Sequence, residues 1–206
     1  MSDLAAGKNP LSTAGPSEIR AFLSSRKRVE INDETLTRAA VLMLLYPRNG
    51  ILHVLLTKRT SDVEHHKGQI SFPGGSVDSE DRDIIGTALR ETEEEVGIPS
   101  AGIEVLGLFN DAWTPSGFRI TPVIAYLSKA PSLRPNAGEV EEILEVPVSL
   151  FLDKAAERRK TVVREGKSFE IYFFDHGTHE IWGATAGMLR SFLRGLQDFL
   201  ASSKRL

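Results

Sequence analysis

Apolar and polar positions follow different rhythms along this chain, and each rhythm predicts a different element. Residues 38–46 form an apolar run stopped by Pro47 and Asn49-Gly50, and residues 51–57 resume it. Two continuous apolar runs around a Pro-Arg-Asn-Gly turn predict a β-hairpin with buried strands. From Ile84 to Val96 the period lengthens to that of a helix. Ile85, Ala88, Leu89, Thr92 and Val96 fall on one face, and Gly97 supplies the stop. A further helix is predicted over residues 184–200. A short one is predicted where Ser17 precedes Glu18-Ile19-Arg20-Ala21-Phe22-Leu23, with an acid in its first turn. Residues 103–109 and 120–127 read as strands, and residues 148–152 as a short helix after Pro147. Residues 161–164 and 169–174 read as a second hairpin around residues 165–168. Pro131, Pro135, Asn136 and Gly138 mark a loop. Strands and helices mix without regular βαβ alternation, and no internal repeat is present.

Composition narrows the class of function. The chain has 206 residues, 41% hydrophobic and 26% charged, which suits one domain with modest extensions. The formal net charge of −3 gives no basic surface for nucleic acid or for a membrane. With no cysteine there is no disulfide framework, thiol nucleophile or thiolate zinc site. That fits a reducing compartment, so a cytoplasmic location is expected. Residues 1–16 are rich in Gly, Pro, Ser and Ala and read as loose. They lack the basic start and apolar run of a signal peptide. No apolar stretch approaches the roughly 20 residues of a membrane span. Lys204-Arg205-Leu206 reads as a solvated basic tail.

The densest chemistry lies in Phe72-Pro73-Gly74-Gly75 and Arg90-Glu91-Thr92-Glu93-Glu94-Glu95-Val96-Gly97. On a helix Glu95 lies about 40° to one side of Glu91 and Glu94 about 60° to the other, so three carboxylates share one stripe. Like charges at these spacings cost a few tenths of a kcal/mol each. The helix dipole also disfavours anions near a C-terminus. A compensating cation relieves both penalties, and hard oxygen ligands at this density suit Mg²⁺ or Mn²⁺. The alternative is a solvated acidic face with no role. Arg90 can form charge-assisted hydrogen bonds to a carboxylate or a phosphate. The glycines let backbone approach a ligand.

This stretch resembles the Nudix box: glycine, five residues, glutamate, seven residues, Arg-Glu, an apolar residue, any residue, Glu-Glu, any residue, glycine and an apolar residue. Arg90, Glu91, Glu94, Glu95, Gly97 and Ile98 fall in place. Asp81 stands five residues beyond Gly75 in place of Glu, with one residue more than usual before Arg90, and Glu80 competes for the role. Thr92 replaces the apolar residue, where its hydroxyl is placed to bond the carbonyl of Ala88. The resemblance implies an α/β fold, a Nudix-type α/β/α sandwich with a mixed β-sheet. It implies Glu91, Glu94 and Glu95 as metal ligands, with Arg90 orienting a carboxylate. Residues 36–206 are then the hydrolase domain and residues 1–35 an N-terminal extension with a short helix.

A second motif points to the substrate. Leu55-Leu56-Thr57-Lys58-Arg59-Thr60, then Gly68 and Phe72-Pro73-Gly74-Gly75, resemble the additional motif of coenzyme A pyrophosphatases: Leu-Leu-Thr, any, Arg, Ser or Ala, three residues, Arg, three residues, Gly, three residues, Phe-Pro-Gly-Gly. Thr60 stands where Ser or Ala is expected. Glu64 stands where the second Arg is expected, which reverses a charge. Either His65, His66 or Lys67 takes over that contact, or the substrate differs. Residues 121–123 and 181–186 are similar to segments of the same subfamily. The implied reaction is metal-assisted attack of water on the diphosphate of coenzyme A, giving 3′,5′-ADP and 4′-phosphopantetheine. The alternatives are another substrate, such as ADP-ribose or NADH, or a non-catalytic nucleotide-sensing domain. Arg59, Gly74, Gly75 and His66 are the expected substrate contacts. The base is sought in Glu94 or among residues 139–142, with Glu139 and Glu142 as candidates. Trp113, Phe118 and Tyr126 are available to stack on a base, against the plainer reading of core packing. The expected partner is a small nucleotide, with no nucleic acid and no membrane; a homodimer is allowed.

Overall fold

The apolar run from residue 38 becomes the middle of a sheet because both of its faces are used. In the computed structural model, residues 11, 14–60, 68–164 and 166–203 are described. The elements run α1 (Pro16–Ser24), β1 (Thr37–Arg48), β2 (Ile51–Arg59), β3 (Ile70–Ser71), β4 (Gly74–Ser76), α2 (Ile84–Val96), β5 (Glu104–Leu108), β6 (Ala112–Trp113) and β7 (Phe118–Tyr126). Then follow β8 (Val140–Pro147), a 3₁₀ turn (Val148–Leu152), β9 (Arg158–Arg164), β10 (Lys167–His176), β11 (His179–Trp182) and α3 (Gly183–Ser203).

The main sheet has the order β3-β2-β1-β7-β5, with β4 on β1, β6 on β7 and β8 on β2. It is mixed because β1 and β7 run parallel, from Thr37 opposite Phe118 to Leu45 opposite Tyr126. The predicted hairpin closes at Asn49-Gly50, both in the left-handed region as a tight two-residue turn requires. One face of β1 sends Ala40, Leu42, Leu44 and Tyr46 towards Ala88 and Val96 of α2. The other sends Val41, Met43 and Leu45 into a larger core. There they meet α1, α3 and a second sheet of order β11-β10-β9. The architecture is α/β with a mixed sheet between helical layers.

Three sequence expectations shift. The first helix starts at Pro16, one residue before Ser17, because Gly15 caps it and its N–H donates to Glu18 Oε2 at 3.0 Å. This helix is no loose appendage: Ile19 and Phe22 are buried, and the Phe22 ring lies 5.9 Å from those of Phe192 and Phe199. Residues 140–147 form β8, an unpredicted strand along β2. Among the described residues, no helix is long and apolar enough to cross a membrane.

Candidate active site

The box helix is fixed at both ends by its own sequence. Asp83 caps the start by accepting from the Gly86 N–H at 2.8 Å. Gly97 closes the end in the left-handed region, its N–H donating to the Glu93 carbonyl. Thr92 is wholly buried, and its hydroxyl donates to the Ala88 carbonyl at 2.7 Å, as expected from its place in the stripe.

Arg90 organises the acids around it. Its Nε and Nη2 donate to the two oxygens of Asp81 at 2.9 and 3.0 Å. Its Nη1 reaches Glu91 at 2.9 Å and Glu94 at 3.0 Å. Asp81 also accepts from the Thr87 hydroxyl and the Asp78 N–H, each at 2.8 Å. Arg90 foremost, with these donors, holds the Asp81 carboxyl well below the usual carboxylate range. Asp81, and not Glu80, is therefore the acid that Arg90 engages. It ties the loop to the helix.

The glycines lie along β1, with Gly74 opposite Val41 and Gly75 opposite Ala40. A Cβ on Gly75 would fall 2.5 Å from the Glu91 carboxylate. Glu95 is only 3% exposed. Its carboxylate lies 3.5 Å from the Thr57 hydroxyl and 3.8 Å from Arg59 Nη1, and it accepts from the Gly74 N–H. Burial pushes the Glu95 carboxyl up to about 8. Arg59 opposes that shift, while Glu91 and Glu139 add to it. Burial also raises Glu91; Arg90 works against this, and Glu94 and Glu139 reinforce it.

Glu139 thus lies within electrostatic reach of Glu91 and Glu95. Its loop is held to α2 by the Arg134 N–H on the Val96 carbonyl and the Asn136 N–H on the Glu95 carbonyl, each at 2.9 Å. Glu142, the other candidate base, has its carboxylate 3.1 Å from His179 Nε2, on the second sheet. A bulge opposite Lys58 and Arg59 takes Glu141 out of the ladder and lets Glu139 and Glu142 face different neighbours. Glu94 is 53% exposed and turned to Arg90, and no three His, Asp or Glu side chains among the described residues are already arranged to hold a metal. Glu64, His65, His66 and Lys67 lie outside the described residues. Trp113 packs edge-on against Phe169, 5.5 Å between ring centroids.

A Nudix domain model matches residues 36–166. The chain belongs to the Nudix family. The uncharacterized Nudix hydrolase NudL of Photorhabdus laumondii is 39% identical over 144 residues, covering 70% of this chain and 77% of that protein. The uncharacterized NudL of Citrobacter koseri is 34% identical over 164 residues, covering 79% and 85%. Two solved structures share the fold. The Ap4A hydrolase of C. elegans in a binary complex has a TM-score of 0.52 at 17% identity, covering 80% of this chain and 98% of that one. The MutT protein of Methanosarcina mazei has a TM-score of 0.51 at 14% identity, covering 82% and 96%.

As a Nudix hydrolase the chain is a pyrophosphohydrolase, and enzymes of this family generally use divalent metal ions. The donor set fits such an ion. Asp81, Glu91 and Glu94 surround Arg90, Glu95 lies 3.8 Å from Arg59 with no closer cation, and Glu139 adds a further negative charge within electrostatic reach. Hard oxygens in negative excess are what Mg²⁺ and Mn²⁺ select.

The raised Glu95 carboxyl has a measurable consequence for stability. An unfolded glutamate titrates near 4.3, so between about pH 4.5 and 8 the metal-free folded state holds a proton that the unfolded chain has lost. Stability from this group therefore falls as pH rises through that window. Asp81, shifted the other way, loses its contribution only below about pH 4. Calorimetry in EDTA from about pH 5.5 to 8 is expected to show a steeper decline for wild type than for Glu95→Gln. The difference isolates Glu95 from His176, whose burial-depressed pKa acts in the opposite sense. Parallel profiles would refute the assignment.

Proposed function

We propose that this Nudix hydrolase cleaves the diphosphate bond of coenzyme A or its derivatives, yielding 3′,5′-ADP and 4′-phosphopantetheine or acyl-phosphopantetheine. The observation that carries the reading is spatial. The segment resembling the coenzyme A motif wraps the box acids, with Thr57 and Arg59 against Glu95, Gly74 bonded to Glu95, and Gly75 against Glu91. Substrate recognition and hydrolysis are thus built from one continuous piece of chain.

In this proposal Glu91, Glu94 and Glu95 hold Mg²⁺ or Mn²⁺, with Arg90 orienting Glu91 and Glu94. The ion, when bound, neutralises phosphate charge and acidifies a bound water. Arg59 is half-way to a free donor: its Nε is buried without a hydrogen-bond partner, and its Nη1 only approaches Glu95. It is the group offered to a substrate phosphate. Gly74 lets the strand pack against β1 with its N–H on Glu95, and Gly75 leaves room for the Glu91 carboxylate. Glu139 takes the role of general base sought outside the box. Residues 36–206 form the hydrolase domain in this reading, and α1 of the extension completes its core.

Coenzyme A, ADP-ribose, NADH and dinucleoside polyphosphates compared with Mg²⁺ and with Mn²⁺, products read by chromatography, test the reading. Coenzyme A is expected to lead in kcat/KM by at least about tenfold. A preference for ADP-ribose would show that the charge reversal at Glu64 redirects the enzyme.

A further inference from the structure

A second charged cavity lies away from the acidic cluster. It has a volume of about 130 Å³, and its lining includes Arg28, Arg38 and Arg119 together with Glu30, Asp111 and Thr121. Arg38 and Arg119 are register partners on β1 and β7. Arg28 arrives from the segment after α1, which is fastened to the loop before β6 by the Val29 N–H on Asn110 and the Ile31 N–H on Asp111.

The arginines are only partly spent. Asp111 is already engaged three times: it accepts from Arg28 Nη2 at 2.5 Å, the Thr121 hydroxyl at 2.8 Å and the Ile31 N–H at 3.0 Å. That leaves the Arg28 Nε–H buried without a partner. Arg119 commits Nη1 to the Ile31 carbonyl at 2.6 Å. Arg38 has no ion pair among the described residues. The nearby acids do not compete well. The Asp33 carboxylate is taken by the N–H and hydroxyl of Thr35, at 2.9 and 2.6 Å, and Glu30 is exposed.

We infer that this cavity binds a phosphate group. Three arginines lining one small space favour an acceptor with several oxygens on one centre, which a tetrahedral oxyanion supplies more fully than a carboxylate. The volume replaces roughly four waters. Arg38 lies two residues, about 7 Å, along β1 from Ala40, the partner of Gly75. The phosphate has two possible sources: a terminal phosphate on the nucleotide substrate, or free phosphate acting as an effector.

The first measurement uses inorganic phosphate with the metal-free protein, where the acidic site repels anions. Phosphate is expected to raise the melting temperature and broaden its own ³¹P resonance. Arg38→Gln is expected to weaken apparent affinity by at least about tenfold. Lys27→Gln, an exposed basic control close in sequence, should bind like wild type. No binding by wild type, or equal weakening in the two variants, overturns the inference. The second measurement compares KM for coenzyme A and dephospho-coenzyme A, which lacks the ribose phosphate. If Arg38→Gln raises KM for the former relative to the latter, the substrate phosphate is the occupant. An unchanged ratio assigns free phosphate. This arm rests on the proposed substrate; the phosphate melts do not, so the two readings fail separately.

Discussion

Glu95→Gln is expected to lower turnover by about a thousandfold in a protein that, stripped of metal, melts no lower than wild type. The reasoning turns on what the amide keeps and loses. Glutamine has the same shape, and its carbonyl can still accept the Gly74 N–H. What it lacks is the negative charge, in a group 3% exposed with its nearest cation 3.8 Å away. An uncompensated buried anion is a burden to the empty fold and an asset only when a cation arrives. Stability and activity should therefore move apart. The check is kcat at saturating Mg²⁺ beside melting curves in EDTA. Near wild-type kcat would remove Glu95 from the metal site. A melt lowered by many degrees would make it a structural residue.

The two loop glycines should fail in different ways when replaced by alanine. At Gly74 the backbone sits at φ 153°, and a Cβ would lie 2.3 Å from the Ala40 carbonyl oxygen and 2.6 Å from the Val41 Cα. The β1 backbone cannot yield there without breaking the β1–β4 pairing. Gly74→Ala is expected to cost about 3 kcal/mol, roughly 10 °C in a chain of this size, and most of the activity. At Gly75 the obstacle is the end of one flexible side chain, Glu91. Gly75→Ala should melt within a few degrees of wild type yet lose about a hundredfold in kcat, the scale of an ångström's misplacement at a reacting centre. Thermal melts and steady-state rates on both variants decide it. Equal melting losses would mean that the two positions do the same job.

Much of this site could be read from residue order because its signals are local. The box helix occupies residues 84–96 as its period predicted, and Gly97 stops it for the reason given. Asn49-Gly50 fixed the first hairpin. What stayed hidden depends on long-range register. In β8, Glu141, Glu142 and Glu145 mask the apolar positions Val140, Leu144 and Val146, so a strand looked like the end of a loop. Which glutamate comes within reach of the box follows from the bulge opposite Lys58 and Arg59, which no single segment announces. The arrangement of Glu94 is likewise set by competition for Arg90, which is held to Asp81 through two hydrogen bonds. The burial of α1 was unreadable because its partners, Phe109, Phe192 and Phe199, lie far along the chain.

That last pairing bears on how the protein comes into being. Phe22 must meet Phe192, and the ribosome delivers the first long before the second. At about 5–20 residues per second the wait is on the order of ten seconds or more. A nine-residue helix is marginal alone in water, so α1 depends on its partners, and its packing against β5 and Phe109 is completed only when α3 emerges. Until then Ile19, Phe22 and Phe109 form a greasy, unfinished seam. It is the place on the nascent chain where a chaperone would find its grip.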